Sequence, residues 1–166
     1  MSNVLTPSSA NSGQTITISW RVTNVGPGNT TTNQSWKDAV FLSFDTLPNF
    51  TLPPNVGGNW FAADFPVRTK LLASVPNLTA LNNGQNYINS ITYTLPINLS
   101  VPIYAYVITN YAPTASAPLQ VTRLNDTARA AQPILVTLSP TPDLRVDTVF
   151  AHLLLFQVVP LIWLTA

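Results

Sequence analysis

The residue types that usually carry catalysis are sparse in this chain. All six acidic residues are aspartates, the only histidine is His152, and cysteine is absent. A His/Cys metal cluster, a Ser–His–Asp triad and a Cys–His pair are therefore disfavoured. The aspartates are scattered, with no Asp-Xaa-Asp spacing, at Asp38, Asp45, Asp64, Asp126, Asp143 and Asp147. They indicate neither a calcium loop nor a glycosidase pair, although loop carbonyls could complete a calcium site at Asp45 or Asp126. We predict no enzyme, no cofactor and no metal site.

Asp38 is the acidic residue with the most specific context. It lies in the alternating stretch "SWKDAVFLSF" and shares a face with Trp36 and Val40. An inward carboxylate needs hydrogen-bond donors, because burying it unpaired is costly. Two interpretations follow: a catalytic or calcium-binding acid, or a structural aspartate that ties down a neighbouring loop. The structural interpretation is the more common one and is preferred.

Aromatic residues form the other candidate contacts. Trp60, Phe61 and Phe65 lie in a long Pro/Gly/Asn-rich loop, and Tyr104 and Tyr106 share the strand face opposite Ile103 and Val107. Exposed rings of this kind could stack on sugars or bury at a protein interface. The alternative, which we favour for both groups, is that a loop and a central strand cover the sandwich with their own aromatic side chains.

The composition of the chain argues against nucleic acid as a binding partner. Charged residues make up 8% of the chain and the net charge is +1, with no basic run that would indicate nucleic-acid binding. The amino-terminal "MSNVLTPSSANSG" has no basic segment followed by an apolar one, so it does not have the pattern of a signal peptide.

The hydrophobic pattern predicts strands. In "TITISWRV" the residues Ile16, Ile18, Trp20 and Val22 alternate with polar ones, which is typical of a half-buried strand. Further strands are predicted at 35–44, at 67–75 on a sheet edge, at 87–95, at 101–109 in a central position, and at 133–138 with Ile134, Val136 and Leu138 inward. Only 125–132 could be helical, but this stretch is too short to affect the fold class and ends at Pro133. Short strands separated by turn signals indicate an antiparallel β-sandwich.

The chain repeats its own beginning. Residues 139–142 are a stiff Pro-rich spacer, and in 143–151 Val146, Val149 and Phe150 align with Met1, Val4 and Leu5 at an offset of 145 residues. We interpret 143–151 as the first strand of a following repeat.

The apolar tail, residues 152–166, is interpreted as a frameshifted continuation of the same following repeat. If the DNA that encodes residues 152–165 is read in the frame one base earlier, codon degeneracy permits a sequence similar to "PSSANSGQTITISW", residues 7–20. Trp163 would then become Leu or Met, where the first copy has Ile18. The alternatives are a genuine exposed apolar peptide or a membrane-directed tail, but a spanning helix needs about 20 apolar residues.

The stretch "SSANSGQTITISWRVTNVGPGNT…SWKDAVFLSFD" resembles the CARDB family, the cell-adhesion-related domain found in bacteria. The likeness continues in "LNNGQNYINSITYTLP", "IYAYVIT" and "LNDTARAAQPILVTL", and "PDLRVDTVFA" resembles the opening of another copy. It covers roughly residues 3–138, apart from an insertion near 45–70, and departs at "LSVPIY", where the family commonly has a Gly. The resemblance implies an immunoglobulin-like antiparallel β-sandwich of about seven strands and no catalytic residue.

These observations predict an all-β module at 1–138. The resemblance implies a non-catalytic adhesion or spacer module in a tandem-repeat bacterial protein that is secreted or at the cell surface. The alternative is a carbohydrate-binding accessory module of a secreted hydrolase. Expected partners are neighbouring repeats and possibly a surface protein or glycan, with no nucleic acid and no membrane span.

Overall fold

The computed structural model describes residues 3–48, 50, 68–77, 79–111, 115–140 and 142–150. Nine strands form within this part of the chain. Their bounds are Asn3–Leu5 (β1), Ser9–Asn11 (β2), Thr15–Thr23 (β3), Trp36–Ser43 (β4), Thr69–Asn77 (β5), Asn86–Thr94 (β6), Tyr104–Ile108 (β7), Thr127–Arg129 (β8) and Leu135–Thr137 (β9). Among the described residues no helix is long and apolar enough to cross a membrane.

The strands form the two layers of a sandwich. One sheet has the order β1-β3-β6 and the other the order β5-β4-β7-β8, with every neighbouring pair antiparallel. β2 and β9 pair in parallel, and a bridge between Ile103 and Ile134 joins this pair to the second sheet. β1 and β2 thus together take the place of the first strand of a seven-stranded sandwich, and β8 and β9 together take the place of the last strand. Counted by position, the predicted immunoglobulin-like sandwich of about seven strands is confirmed.

The core lies between the two sheets. Ile16, Ile18, Trp20 and Val22 on β3 are all buried, as their alternation predicts, and they face Val40 and Leu42 of β4 and Val107 of β7. β4 is buried on both sides, because Phe41 and Ala39 join a smaller cluster on its outer face. The predicted edge strand is confirmed as β5, and the predicted central strand is confirmed as β7, between β4 and β8.

One open possibility is decided by the structure, and one local prediction is wrong. Residues 125–132 are not helical: Thr127–Arg129 form β8, because pairing with β7 satisfies their backbone and buries Ala130. Leu138 does not point inward and is 57% exposed, because β9 ends at Thr137 and the next residue, Ser139, bonds to Ser12 instead. β2 was not predicted, since three residues carry too little periodicity.

The chain begins and finishes this sandwich at opposite ends. Asn3 pairs with Arg21 near the end of β3, and we call this end, with Thr23, the amino pole. The residues after β9 bond to Ser12, just before β3 begins at Thr15, and we call this end the carboxyl pole. Arg21 and Thr15 are six residues apart on an extended strand, so the poles are separated by ~20 Å.

Residues 142–150 follow the carboxyl pole and contain no strand, and their side chains are exposed. A first strand of a following repeat would pair inside that repeat, so this interpretation and the proposed boundaries at 138, 142 and 151 stay predictions. The tail at 152–166 lies outside the described residues.

Candidate functional site

Asp38 sits at the centre of a buried hydrogen-bond network. Its side chain is fully buried on β4, on the face that points toward β3 and β6. The indole Nε1 of Trp20 and the hydroxyl of Tyr87 each donate to its Oδ2 at 2.7 Å, and the Thr109 hydroxyl donates to Oδ1 at 2.7 Å. The three donors come from β3, from β6 and from the residue after β7. The carboxylate therefore ties both sheets together, and its geometry is that of a structural aspartate with no side exposed to a substrate.

Tyr87 extends this network toward the amino pole. Its hydroxyl accepts a hydrogen bond from Trp36 Nε1 at 3.0 Å while donating to Asp38, and the rings of Trp36 and Tyr87 lie 6.2 Å apart. Burial raises the pKa of the Tyr87 phenol, and the negative charge of Asp38 raises it further. The phenol therefore keeps its proton, as its role as a donor to Asp38 requires.

Tyr104 and Tyr106 lie together on the outer face of the second sheet. Tyr106 is 4% exposed and its hydroxyl donates to the backbone carbonyl of Asp45 at 2.8 Å. Burial raises its pKa, and the nearby Arg129 opposes that rise. The Phe50 ring covers Tyr106 at 5.4 Å, while Tyr104 is half-buried beneath the Arg129 guanidinium at 5.2 Å.

This outer face is thus a second small core rather than a bare aromatic platform. Its buried members are Ala39, Phe41 and Tyr106, and Tyr104 packs at its margin. Trp60, Phe61 and Phe65 lie outside the described residues. The structure brings Tyr104 and Tyr106 together, and contact of any of these five aromatic residues with a ligand stays a prediction.

A cleft of about 480 Å³ opens at the amino pole. Its lining includes the β3–β4 loop at 24–30, the turn at Leu81, the residues that follow β7 at 109–110, and the residues that lead into β8 at 118–126. Its polar side chains are mainly neutral amides and hydroxyls, and Asp126 is the one charged residue among those that line it within the described part. Its volume is in the range of small-molecule sites.

One wall of the cleft is built by Asn24. Its Nδ2 donates to the carbonyls of Gly28 at 2.8 Å and Leu81 at 3.1 Å, and its Oδ1 accepts from the Gly26 amide at 3.1 Å. Leu81 and Thr30 exchange two further bonds, in which each backbone amide donates to an oxygen of the other residue. The loop is therefore held against the β5–β6 turn before any ligand arrives.

Two other residues that line the cleft carry buried oxygens without hydrogen-bond partners in the described structure, Asn110 Oδ1 and Asp126 Oδ2. Asn110 adopts φ = +50°, a conformation that asparagine tolerates better than most residues. Arg123 joins the two residues, because its Nη2 donates to the Asn110 carbonyl at 2.9 Å and its Nε lies 3.4 Å from Asp126 Oδ2. Burial raises the pKa of Asp126, and the positive charge of Arg123 opposes that rise.

Sequence reasoning missed this cleft. The turn residues of "NVGPGN" were recognisable as a loop, but only the folded chain brings them beside Leu81 and Asn110, which are more than 50 residues away. Asp45 and Asp126, the positions where loop carbonyls could have completed a calcium site, are each paired with an arginine, Arg68 at 3.2 Å and Arg123 at 3.4 Å. Among the described residues, no group of three or more His, Cys, Asp or Glu side chains could hold a metal ion.

Comparison with solved structures identifies the fold of this chain. No family model matches the chain, and no curated protein matches it. Among solved structures, the CARDB domain of the PF1109 protein from Pyrococcus furiosus, crystallised in complex with di-metal ions, has a TM-score of 0.54 and 10% identity over 82% of this chain and 91% of that one. The solution structure of the same domain has a TM-score of 0.52 and 10% identity over 82% and 93%.

A β-glucosidase from Listeria innocua, in complex with isofagomine, is also similar, with a TM-score of 0.41 and 14% identity over 80% of this chain and 15% of that enzyme. The fold is a CARDB-like β-sandwich, and this rests on the two structures of the PF1109 domain.

Proposed function

We propose that this chain is a non-catalytic adhesion or spacer module from a tandem-repeat bacterial protein that is secreted or exposed at the cell surface. The CARDB-like sandwich supports the non-enzymatic class of module. Asp38 supports it as well, since its bonds from Trp20 and Tyr87 hold the two sheets together and its bond from Thr109 fixes the end of β7.

The observation that carries the proposal is the position of the two poles. The first strand starts at the amino pole and the last strand ends at the carboxyl pole, ~20 Å away along β3. A module with this arrangement can be inserted repeatedly in a chain and lengthens it each time. The Pro-rich spacer at 139–142 and the proposed first strand of a following repeat at 143–151 would supply the link that such an array requires.

The carbohydrate-binding alternative has one supporting observation, the cleft at the amino pole. Gln34, Asn110 and Gln120 line it, and side-chain amides are common partners of sugar hydroxyls. Trp60 and Phe61, whose rings could stack on sugars, lie outside the described part of the chain.

Surface exposure can be tested on intact cells that express the gene. Brief trypsin treatment should release peptides cut at Arg145, because this side chain is 86% exposed in a segment without strands and the proposed module faces the medium. A cytosolic protein followed in the same samples is the control for lysis. Release of these peptides only after the cells are broken would contradict a surface or secreted location.

A further inference from the structure

β6 is an outer strand with one long side turned away from its sheet. In the described structure it pairs with β3 alone, over the full length of both strands. The Leu95 amide donates to the Gln14 carbonyl just beyond one end of this ladder, and the Asn24 amide donates to the Gln85 carbonyl just beyond the other. Because bonded residues alternate along antiparallel strands, the odd-numbered residues of β6 bond to β3. The even-numbered residues direct their N–H and C=O groups away from β3, and we call this side the open edge: Asn86, Ile88, Ser90, Thr92 and Thr94.

The burial of side chains agrees with an open edge. Trp20 and Ile18 on β3 are 1% and 0% exposed. The residues directly opposite them on β6, Asn89 and Ile91, point to the same face but are only half-buried. On the outward face, Ile88 is 61% exposed. Water therefore reaches both faces of β6, as expected for a strand with a neighbour on one side.

β6 differs from the other outer strands of the two described sheets. Short length, lysine, proline and irregular pairing all keep a strand edge from pairing with other chains. β1 and β8 are three residues long each, and β5 carries Lys70 and Pro76 and has an irregularity opposite Val40 and Phe41. β6 is nine residues long, has no charged residue and no proline, and pairs with β3 without a register shift. Within the described part of the chain, it is the one long outer strand that has none of these protections.

We propose that β6 is a homophilic interface, at which two copies of this chain pair antiparallel about a twofold axis at Ser90. In this register Ser90 opposes Ser90 of the second copy, and Ile88 opposes Thr92 of the second copy. Asn86 likewise opposes Thr94. Every N–H and C=O group on the open edge then has a partner, and the two three-stranded sheets become one continuous sheet of six strands.

The open edge favours a second copy for physical reasons. A row of main-chain donors and acceptors is complemented by another extended strand, and β6 itself has the matching length. Its uncharged sequence places no like charges opposite each other, and the net charge of +1 gives little repulsion between copies. Pairing also places Thr92 of the second copy beside the exposed Ile88 side chain. A twofold pair uses the one β6 of each chain, so it closes as a dimer and does not grow into a filament.

The antiparallel orientation has a consequence for adhesion, and this consequence rests on the proposed tandem array. Asn86 pairs with Thr23 at the amino pole, and Thr94 pairs with Thr15 near the carboxyl pole. Pairing therefore brings the amino pole of one copy beside the carboxyl pole of the other. Arrays that extend toward each other from two facing surfaces meet in this orientation. Each contact would be weak, and repeated modules would add their contacts.

The experiment is sedimentation velocity on the full chain, combined with amide hydrogen exchange followed by NMR. Between about 10 μM and about 1 mM we expect a monomer–dimer equilibrium with a dissociation constant on the order of 100 μM, as suits a small interface. The amides of Ile88, Ser90 and Thr92 should become protected as the dimer forms. Those of Asn89 and Ile91 should be protected at every concentration, because they bond to β3.

Substitutions at Ser90 test the axis, because this exposed residue opposes itself. Ser90→Lys and Ser90→Glu should each weaken dimerisation at least about tenfold, since like charges would face each other. An equimolar mixture of the two variants should dimerise to within about threefold of the wild type, since lysine then faces glutamate. Ser74→Lys is the matched control, because Ser74 is exposed on β5, the other long outer strand, and this variant should dimerise as the wild type does.

Several results would overturn the proposal. A chain that stays monomeric at about 1 mM would leave the open edge to a strand of a different protein. Association that Ser90→Lys retains, or protection that appears outside β6, would place the interface elsewhere. A mixture of the two Ser90 variants that stays monomeric would contradict the register.

These outcomes can be separated from the fate of the proposed array. A dimerising chain whose gene encodes no further module would remove the array and leave the pairing of β6. A gene with further modules and a chain that stays monomeric would remove only the pairing.

Discussion

Replacing Asp38 with alanine should lower the free energy of unfolding by about 3–5 kcal/mol, the largest loss expected from any polar substitution in this chain. The reason is that three donors lose their acceptor at once. Trp20 Nε1, the Tyr87 hydroxyl and the Thr109 hydroxyl all bond to this carboxylate at 2.7 Å. Each buried donor left unpaired costs about 1–3 kcal/mol. Urea unfolding followed by far-ultraviolet circular dichroism measures the change.

The matched control is Asp45→Ala. Asp45 follows the same strand, but its side chain is 40% exposed and pairs at the surface with Arg68, so the loss should stay within about 1 kcal/mol. Asp38→Asn should fall between the two, because the amide keeps one acceptor and turns a donor toward the network. An Asp38→Ala chain as stable as the wild type would show that the carboxylate does not join the sheets. The alternative interpretation of Asp38, as a catalytic or calcium-binding acid, would then have to be tested.

Replacing Phe41 with alanine should lower the free energy of unfolding by about 3–5 kcal/mol, although Phe41 is on the outer face of its sheet. The ring is 1% exposed and lies 5.1 Å from Phe50 and 5.6 Å from Tyr111. Truncation removes these contacts and leaves a cavity beneath residues that cannot collapse fully into it. The same urea experiment measures the loss.

Ile88→Ala is the control for this substitution. Ile88 is on β6, is of similar hydrophobicity and is 61% exposed, so its loss should stay within about 0.5 kcal/mol. If Phe41→Ala is as mild as Ile88→Ala, the outer face is open rather than packed. Tyr104 and Tyr106 would then be available together as a platform for a ligand.

Periodicity predicted much of the fold because the strands with the strongest alternation are also the longest. β3 places four apolar side chains on one face, and a strand that buries one face has its register set by that pattern. The same pattern put Asp38 on the inward face of β4. It could not name the partners of Asp38, because Trp20, Tyr87 and Thr109 are 18, 49 and 71 residues away.

The one wrong prediction, the helix that did not form and the cleft that was not predicted have a common physical origin. "NDTARAAQ" has a local composition that allows a helix, but three of its residues gain more from pairing with β7 than from a short helix with no partner. Leu138 is two residues after Val136, so the alternation of a continuing strand would point it inward. β9 ends at Thr137, however, and the alternation does not continue beyond it. The cleft at the amino pole depends on loops from distant parts of the chain, which no local pattern relates.

The central claim is that this sandwich is one module of an array, and the coding DNA tests it most directly. We would read that DNA from residue 148 onward, beyond the codon for Ala166, in the frame one base earlier. The account predicts that this frame continues into a second "SGxTIxIxW"-like strand and then through the remaining strands of another sandwich. A stop codon within the first few codons of that frame would contradict it, and residues 152–166 would have to be treated as a genuine apolar segment of this protein.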